Sequence, residues 1–513
     1  MKSQNQNEET RETSAQKEVS AVFFCDLDAD QMIVAKESSR KSGVLRTAST
    51  PKDESALAWE MFFNQQAGNL RLEIKNGTGG SLKTVDDVTA DLIACACHLY
   101  QGDQMKRRSE KAWARNMEYH IAVRDPKLWK DQIPKLKELI KILTGDTISI
   151  DFYQLTLNRS ELQLPELIGQ YDGGVCVFLN DFDSIAGATV VSNSNPIVAS
   201  YRFGPGYPLQ DQQTLMKLIA GSIKKPLHHI GFGIQAVNLN ARDSTRRTRG
   251  FLQLALAAAV ARSAGLDVVN KIQIFGNGVS SHLFEAQQLC GGGRSVRDTY
   301  PEVLRRAQIL FRGLFAAPQP ISIVNPFQFF TPAMVILELK SRLHSSTFRV
   351  RKKRRPPLSA HELFTEANAC WDPGLAKFFS VAHCGCCFPC KIRRLTALIV
   401  GFEKEDNYSA YAIDPLKTRA SAREKKKLQS RPFFWQRYLA FHEDGYPQFK
   451  RYIQTFLKKD NEILQDLTIG PAIDELARLK LNLSGDETVA TNMKKEMIAV
   501  HRQFATEAKR YLH

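Results

Sequence analysis

Apolar positions along the chain change their period near residue 165, and the two halves predict different architectures. In the first half, AVFFCDLD (21–28), MIVAKES (32–38) and LRLEIK (70–75) read as strands. VTADLIACACHLY (88–100) is too long and too free of Gly and Pro for a strand and predicts a buried helix. YHIAVRDPKLW (119–129) predicts a strand ending in an Asp-Pro turn. IPKLKELIKILTGD (133–146) predicts a helix with Leu and Ile at three- and four-residue spacing, stopped by Gly145. Residues 21–165 therefore read as an α+β domain, preceded by a polar stretch (1–20) that reads as a disordered tail.

After ELQLPELIG (161–169) short apolar runs alternate with helical periods. GVCVFL (174–179), PIVASYRF (196–203), HHIGFGIQAVNLN (228–240) and KIQIFGNG (271–278) predict strands. SIAGATVV (184–191), LQDQQTLMKLIAGSIKK (209–225) and TRGFLQLALAAAVARSAG (248–265) predict the helices between them. Such repeats imply an α/β, doubly wound parallel sheet covered by helices on both faces, with ligands bound at the carboxyl ends of its strands. This domain is expected over 170–400, and residues 401–513 read as a helical C-terminal region. No internal repeat is visible.

Charge changes the picture only in part. Of 513 residues, 70 are Lys or Arg and 54 Asp or Glu, giving a net charge of +16, which favours an anionic partner such as a nucleotide or nucleic acid. Two basic runs, Arg349 to Arg355 and Arg423 with Lys425 to Lys427, could contact phosphates, but a solvated loop is the commoner reading of each. The N-terminus has no apolar signal core and no stretch reaches a membrane-spanning length, so the expectation is a cytoplasmic protein without a membrane partner. Gly291-Gly292-Gly293-Arg294 reads as a linker or an anion-seeking loop, and His228-His229 as structural.

The cysteines carry the sharpest chemistry. Five of the ten fall at Cys370, Cys384, Cys386, Cys387 and Cys390. In a reducing compartment, a lone Cys followed by C-x-x-C-x-x-C reads as a tetrahedral metal site. Cys370, Cys384, Cys387 and Cys390 are the expected ligands of a structural Zn2+, with Cys386 out of register and an iron–sulfur cluster as the alternative. Arg393 and Arg394 lie where they could offset thiolate charge or reach a ligand.

The segment HCGCCFPCKIRR (383–394) after Cys370 resembles the zinc segment of the 7-cyano-7-deazaguanine synthase (QueC-like) family. The likeness extends through RDSTRRTRGFLQLALAAAVA, IFGNGVSS, DTYP and IVNPFQF. TADLIACACHLYQGDQ, YHIAVRDPKLW and LTGDTISIDF resemble the extension of its defence-associated QatC members from the Qat anti-phage system. It covers about residues 21–400.

The resemblance implies an adenine-nucleotide α-hydrolase-like (PP-loop) fold, with ATP and Mg2+ used to adenylate a carboxylate and release pyrophosphate. The family's S-G-G-x-D-S phosphate loop falls on Leu179-Asn180-Asp181-Phe182-Asp183-Ser184. Asp183 and Ser184 are then the catalytic candidates, and Leu179, Asn180, Asp181, Phe182, Arg247, Arg249, Asn277 and Gly278 the nucleotide-binding ones. Both loop glycines are replaced, and Asp181 would set a carboxylate where pyrophosphate belongs, a like-charge contact costing on the order of a few kcal/mol. Asp183 and Ser184 also suit a helix cap, and Arg247 and Arg249 suit solvated helix-terminal arginines. Gly276 stands where defence-type members carry an acid, Tyr300 where they carry His, and Pro332 where they carry Lys.

These departures predict an anti-phage defence component with impaired or altered ATP-dependent chemistry, acting through partners such as the system's ATPase and TatD-like nuclease. The alternatives are an active ligase that makes the deazapurine nitrile or modifies a partner protein, and a nucleic-acid-binding protein.

Overall fold

The computed structural model describes residues 21–25, 30–31, 34–36, 54–57, 59–61, 70–76, 81–108, 114–156, 162–167, 169, 171–179, 181–203, 209–223, 225–236, 247–265, 269–282, 297–315, 320–344, 359–367, 370 and 372–512. The expected tail (1–20), the first basic run, the Gly291–Arg294 loop and Asn180 lie outside these residues.

The protein is α/β, with two sheets of mainly parallel strands. The smaller sheet has the order β2-β1-β6-β7, all parallel: β1 (Ala21–Cys25), β2 (Glu54–Leu57), β6 (Asn116–Val123) and β7 (Thr147–Gln154). The larger contains β3 (Trp59–Met61), β4 (Leu70–Asn76), β9 (Val175–Phe178), β10 (Ile197–Phe203), β11 (His228–Ala236), β12 (Lys271–Ile274) and β13 (Ser322–Val324) in the order β13-β12-β9-β10-β11-β4-β3. β5 (Leu82–Thr84) and β8 (Gln163–Pro165) form a separate antiparallel pair.

Strands β9 to β13 run parallel, and their spatial order reverses between β9 and β12. That reversal is a topological switch point, where the carboxyl ends of parallel strands open a crevice. β9 is buried on both faces because alternate side chains enter different cores. Val175 and Val177 join the core of helices α1 (Asp87–Met105), α2 (Pro126–Thr144), α5 (Arg249–Ser263) and α7 (Pro301–Leu314). Cys176 and Phe178 join that of α3 (Phe182–Val191), α4 (Leu209–Ile223) and α8 (Pro332–His344). α6 (Gly278–His282) follows β12. After α9 (Ala360–Glu366), α10 (Pro373–Phe378) and α11 (Phe388–Val400) come α12 (Ala422–Gln429), α13 (Pro432–Tyr438), α14 (Gly445–Phe456), α15 (Asp460–Leu464), α16 (Ile469–Ser484) and α17 (Glu487–Lys509). No helix among the described residues is long and apolar enough to cross a membrane.

The N-terminal segment departs from the α+β expectation. Its small sheet is wholly parallel, with α1 and α2 supplying crossovers, and β4 pairs antiparallel with β11 of the larger sheet. MIVAKES is helical over 34–36 rather than extended, and only Ala35 of those three is fully buried. α2 begins at Pro126, where Asp125 caps the Leu128 amide, and runs through Pro134. Pro134 is tolerable there because Lys130, whose carbonyl it leaves unbonded, faces solvent. Gly145 ends the helix as expected, with φ 78°, a left-handed conformation that glycine adopts freely.

Several histidines are buried and held neutral, among them His229, His282 and His501. His229 Nε2 meets Ser200 Oγ at 2.7 Å. His282 Nδ1 meets His501 Nε2 at 3.1 Å, and His501 Nδ1 meets the Tyr452 hydroxyl at 2.5 Å, joining α6, α17 and α14. Burial lowers His229 to about 4 and His282 to about 3, and burial with repulsion from His282 holds His501 well below its ordinary range. These groups charge more readily in the unfolded chain, so their stability is present above pH 6.5 and is lost as pH falls toward 4. The urea midpoint should therefore drop between pH 7 and pH 5. His501→Gln should reduce the pH slope of the unfolding free energy by up to about 1.4 kcal/mol per pH unit, and an unchanged slope would place this histidine's titration elsewhere.

Candidate functional site

Helix α5 starts without a cap of its own, since the Thr248 side chain makes no capping bond. Asp103, at the end of α1, supplies it instead: Oδ2 accepts from Thr248 N at 3.1 Å and Oγ1 at 3.2 Å. The other Asp103 oxygen accepts from Arg108 at 3.1 Å and from Arg115. Both arginines also grip Asp146, Arg108 through Nη1 at 2.7 Å and Nη2 at 2.8 Å. The four side chains are at most 3% exposed. Burial opposes ionisation of Asp103, yet Arg115 and Arg108 hold its carboxyl below the usual range. The sequence gives no warning of this knot, because its members lie on separate turns and acquire a common address only when α1, α2 and α5 pack.

Arg247 belongs to the same corner. Its Nη1 lies 3.4 Å from the Thr144 carbonyl, which Arg108 also contacts at 3.1 Å, while Arg297 donates to the Ile142 carbonyl at 2.5 Å. Three arginines thus gather at the carbonyl end of α2, the negative pole of its dipole. Burial, then repulsion from Arg108 and Arg297, lowers Arg247 to about 9. Arg249 instead pairs with Asp298 at 3.0 Å and is half-buried.

At the switch point, Asp181 precedes α3 in extended conformation and caps it. Its Oδ1 accepts from Ser184 N at 2.8 Å, and the Ser184 hydroxyl returns to the Asp181 backbone in a reciprocal capping box. The helix N-terminus, the natural seat for a phosphate, is therefore already filled by the chain's own carboxylate. Leu179 and Phe182 serve packing, Leu179 against the first core and Phe182 within the second.

Asp183 faces β12. Its Oδ2 accepts from Asn277 N at 3.0 Å and Nδ2 at 2.8 Å, whereas Oδ1 is buried with no hydrogen-bond partner. Burial first and the neighbouring Asp181 charge next push Asp183 up to about 7, against the Asn277 hydrogen bonds. Burial likewise raises Asp181, opposed by its bonds with Ser184. Asn277 also caps α6 by accepting from Ser280 N at 3.0 Å. Gly278 is held by packing, since a Cβ there would lie 2.4 Å from the Gln328 carbonyl.

Gly276 is walled in: an added Cβ would fall 2.7 Å from Thr299 Oγ1 and 2.8 Å from Ser281 Oγ. Asn325 closes the corner, taking Gly276 N at 3.2 Å and giving Nδ2 to the Gly276 carbonyl at 2.8 Å. Tyr300 and Thr331 precede helices that begin with Pro301 and Pro332, and Thr331 Oγ1 caps Met334 N at 3.2 Å. Among the described residues, the switch point thus presents mostly self-paired polar groups, with Asp183 Oδ1 and Arg249 Nε left unpaired.

The cysteine expectation meets its geometry. The ligand atoms of Cys370, Cys384, Cys387 and Cys390 all lie within 4.8 Å of one another. Cys384 Sγ and Cys390 Sγ are 3.8 Å apart, which matches the roughly 3.8 Å edge of a tetrahedron with Zn–S bonds near 2.3 Å. Cys384 Sγ accepts from Cys387 N at 3.4 Å, and Cys370 Sγ from Cys384 N at 3.3 Å. Gly385 makes the turn with φ 75°, and a Cβ there would collide with the Ile413 carbonyl. Burial opposes ionisation, but hydrogen bonds from Cys370, Cys386, Cys387 and Cys390 pull the Cys384 thiol well below its ordinary range. The four thiols fit a metal such as zinc, and Cys386, buried beside them, stands outside the group.

The neighbouring charges are not arranged as the sequence suggested. Arg393 turns away to Asp406 Oδ1 at 2.8 Å and the Ala367 carbonyl at 2.7 Å, and Arg394 goes to the Asp406 backbone and over the Tyr408 ring at 4.0 Å. The cation beside the thiols is Lys391, whose buried ammonium donates to the Cys386 carbonyl and to the Phe441 carbonyl at 3.0 Å. In the second basic run, Lys425 pairs with Glu443 at 2.8 Å and Lys427 lies over the Phe379 ring at 4.3 Å, so neither is a bare phosphate contact. No protein-family model, curated protein or solved structure matches the chain.

Replacing one thiol leaves three ligands and buried sulfur without its counter-ion. Cys384→Ser should lower zinc content from about one per chain toward none and reduce the melting temperature, whereas Cys386→Ser should keep the zinc. Removing one knot partner strands a buried charge: Arg115→Met should cost about 3–5 kcal/mol by urea unfolding. The raised Asp183 value has the opposite sign from the histidines. Its stability is present below pH 3.8 and lost as pH rises through about 7. Asp183→Asn should therefore stabilise the protein at pH 8, by up to about 4 kcal/mol, and progressively less toward pH 5.

Proposed function

We propose that this chain is a QueC-like, QatC-type component of an anti-phage defence system, in which a zinc-held α/β body acts as a binding scaffold and its ATP-dependent chemistry is impaired or altered. The observation that supports this reading is the Asp181 capping box, which places a carboxylate at the helix terminus an ATP phosphate would need. The parallel order β13-β12-β9-β10-β11 is compatible with a PP-loop fold, and the four-thiol cluster with the family's zinc segment. Its partners would be the other components of such a system, an ATPase and a TatD-like nuclease.

The deciding experiment is calorimetric titration of ATP into zinc-loaded protein, with Mg2+ equal in cell and syringe so that ion binding contributes no heat. The expected result is no binding up to about millimolar ATP, a limit near −4 kcal/mol. Micromolar binding that Asp183→Ala abolishes would favour the active ligase, to be followed by a search for AMP release with a deazapurine acid. Pull-down of the partner components should succeed with the Asp183→Ala protein as with the unaltered one.

A further inference from the structure

Between Lys417 and Arg437 the chain carries eight cations and a single acid, Glu424. Glu424 is engaged locally, accepting from the Ser421 backbone amide in the α12 capping box, and Lys425 is matched by Glu443 at 2.8 Å. Arg419, Arg423, Lys426 and Arg431 stay exposed. Arg423 and Lys426 stand three residues apart on α12 and so share one of its faces. Lys427, on the same face, reaches over the Phe379 ring at 4.3 Å and the Phe378 ring at 5.2 Å.

Those rings belong to an aromatic shelf. The Phe378 ring centroid lies 5.0 Å from that of Phe434, and Phe434 lies 5.6 Å from Phe433. Phe433 is 55% exposed, yet the Arg437 guanidinium, anchored on Asp372 at 2.7 Å, packs over its ring at 4.2 Å and steadies it. The shelf rests on the small core that contains the thiols, where Leu428 and Tyr438 are buried and Phe378, Phe379 and Phe434 pack against them. A steadied aromatic ring in water beside exposed cations is what a stacking platform for nucleic acid requires.

We propose that the face formed by the end of α10, α12 and α13 binds single-stranded nucleic acid, with Phe433 stacking on a base and Arg423, Lys426 and Arg431 on the backbone phosphates. Charge alone would accept any polyanion. The exposed ring decides among them: a single strand offers unstacked base faces between its phosphates, a duplex keeps them in its own stack, and an acidic peptide has none. Rings and cations do not read the 2′-hydroxyl, so DNA and RNA strands should bind alike. The inference goes beyond the proposed defence role and does not depend on it.

The test is fluorescence anisotropy of full-length, zinc-loaded protein with labelled oligo-dT and oligo-U of about 16 nucleotides. Both should bind with similar affinity, and more tightly than a duplex of the same length. Arg423→Gln combined with Lys426→Gln should weaken binding and make the slope of log affinity against log salt shallower by about 1.4, the share of two phosphates. Phe433→Ala should weaken binding about tenfold with that slope unchanged, and Phe433→Trp should restore it. Lys495→Gln with Lys509→Gln removes the same charge from exposed positions of α17 and should leave affinity and slope as they are. The Arg423 and Lys426 side chains are exposed, so their variant serves if Phe433→Ala does not fold. Absence of binding at about 100 μM protein, the weak end of non-specific affinity, would overturn the proposal. So would a duplex bound as tightly as the single strand, polyglutamate competing as well as unlabelled oligo-dT, or equal losses in the α17 variant.

Discussion

The ion-pair knot of Asp103, Arg108, Arg115 and Asp146 is the constraint from which the architecture follows. Asp103 ends α1, Asp146 precedes β7, and Thr248, which Asp103 caps, begins α5. One buried carboxylate therefore fixes the small sheet's helix against a helix of the larger sheet. Water cannot screen charges at this depth, so a misplaced partner would be costly and the register between the layers is tightly specified. The same geometry recruits Arg247 and Arg297 to the carbonyl end of α2. An arginine that the sequence marks as a ligand contact becomes part of the joint.

The switch point behaves as a corner whose polar groups answer one another. Asp181 caps its own helix, Asn277 holds Asp183, and Asn325 ties the end of β12 to the start of the turn after β13. Gly276 is enclosed by Thr299 and Ser281. Among the described residues, Asp183 Oδ1 is left buried without a hydrogen-bond partner.

The thiol cluster holds a different part of the chain. Its residues share a small core with Leu375, Ile413, Leu428 and Tyr438, separate from the two cores that sandwich the larger sheet. A metal there would join the segment containing Cys370 to the start of α11 and, through Lys391, to the Phe441 turn. Arg393 and Arg394 are committed to Asp406 and nearby carbonyls, and the buried ammonium beside the thiols is that of Lys391, held by the Cys386 and Phe441 carbonyls.

By itself, the sequence determined the parallel strands and their helices, because short apolar runs such as GVCVFL alternate with longer helical periods and fit strands buried on both faces. It also determined the four thiols, because ligand spacing along a short segment is a local property. It did not determine where Trp59–Met61 and Leu70–Asn76 would pair: short strands carry no signal of their neighbours, and only packing set β4 beside β11. MIVAKES misled for a similar reason, since an apolar run of a few residues suits a helical turn as well as a strand. The roles of Arg247, Arg393 and Lys391 were decided by tertiary structure alone. A charged side chain has no fixed task until its partners arrive, and here those partners are a carbonyl terminus, a buried aspartate and the Cys386 and Phe441 carbonyls.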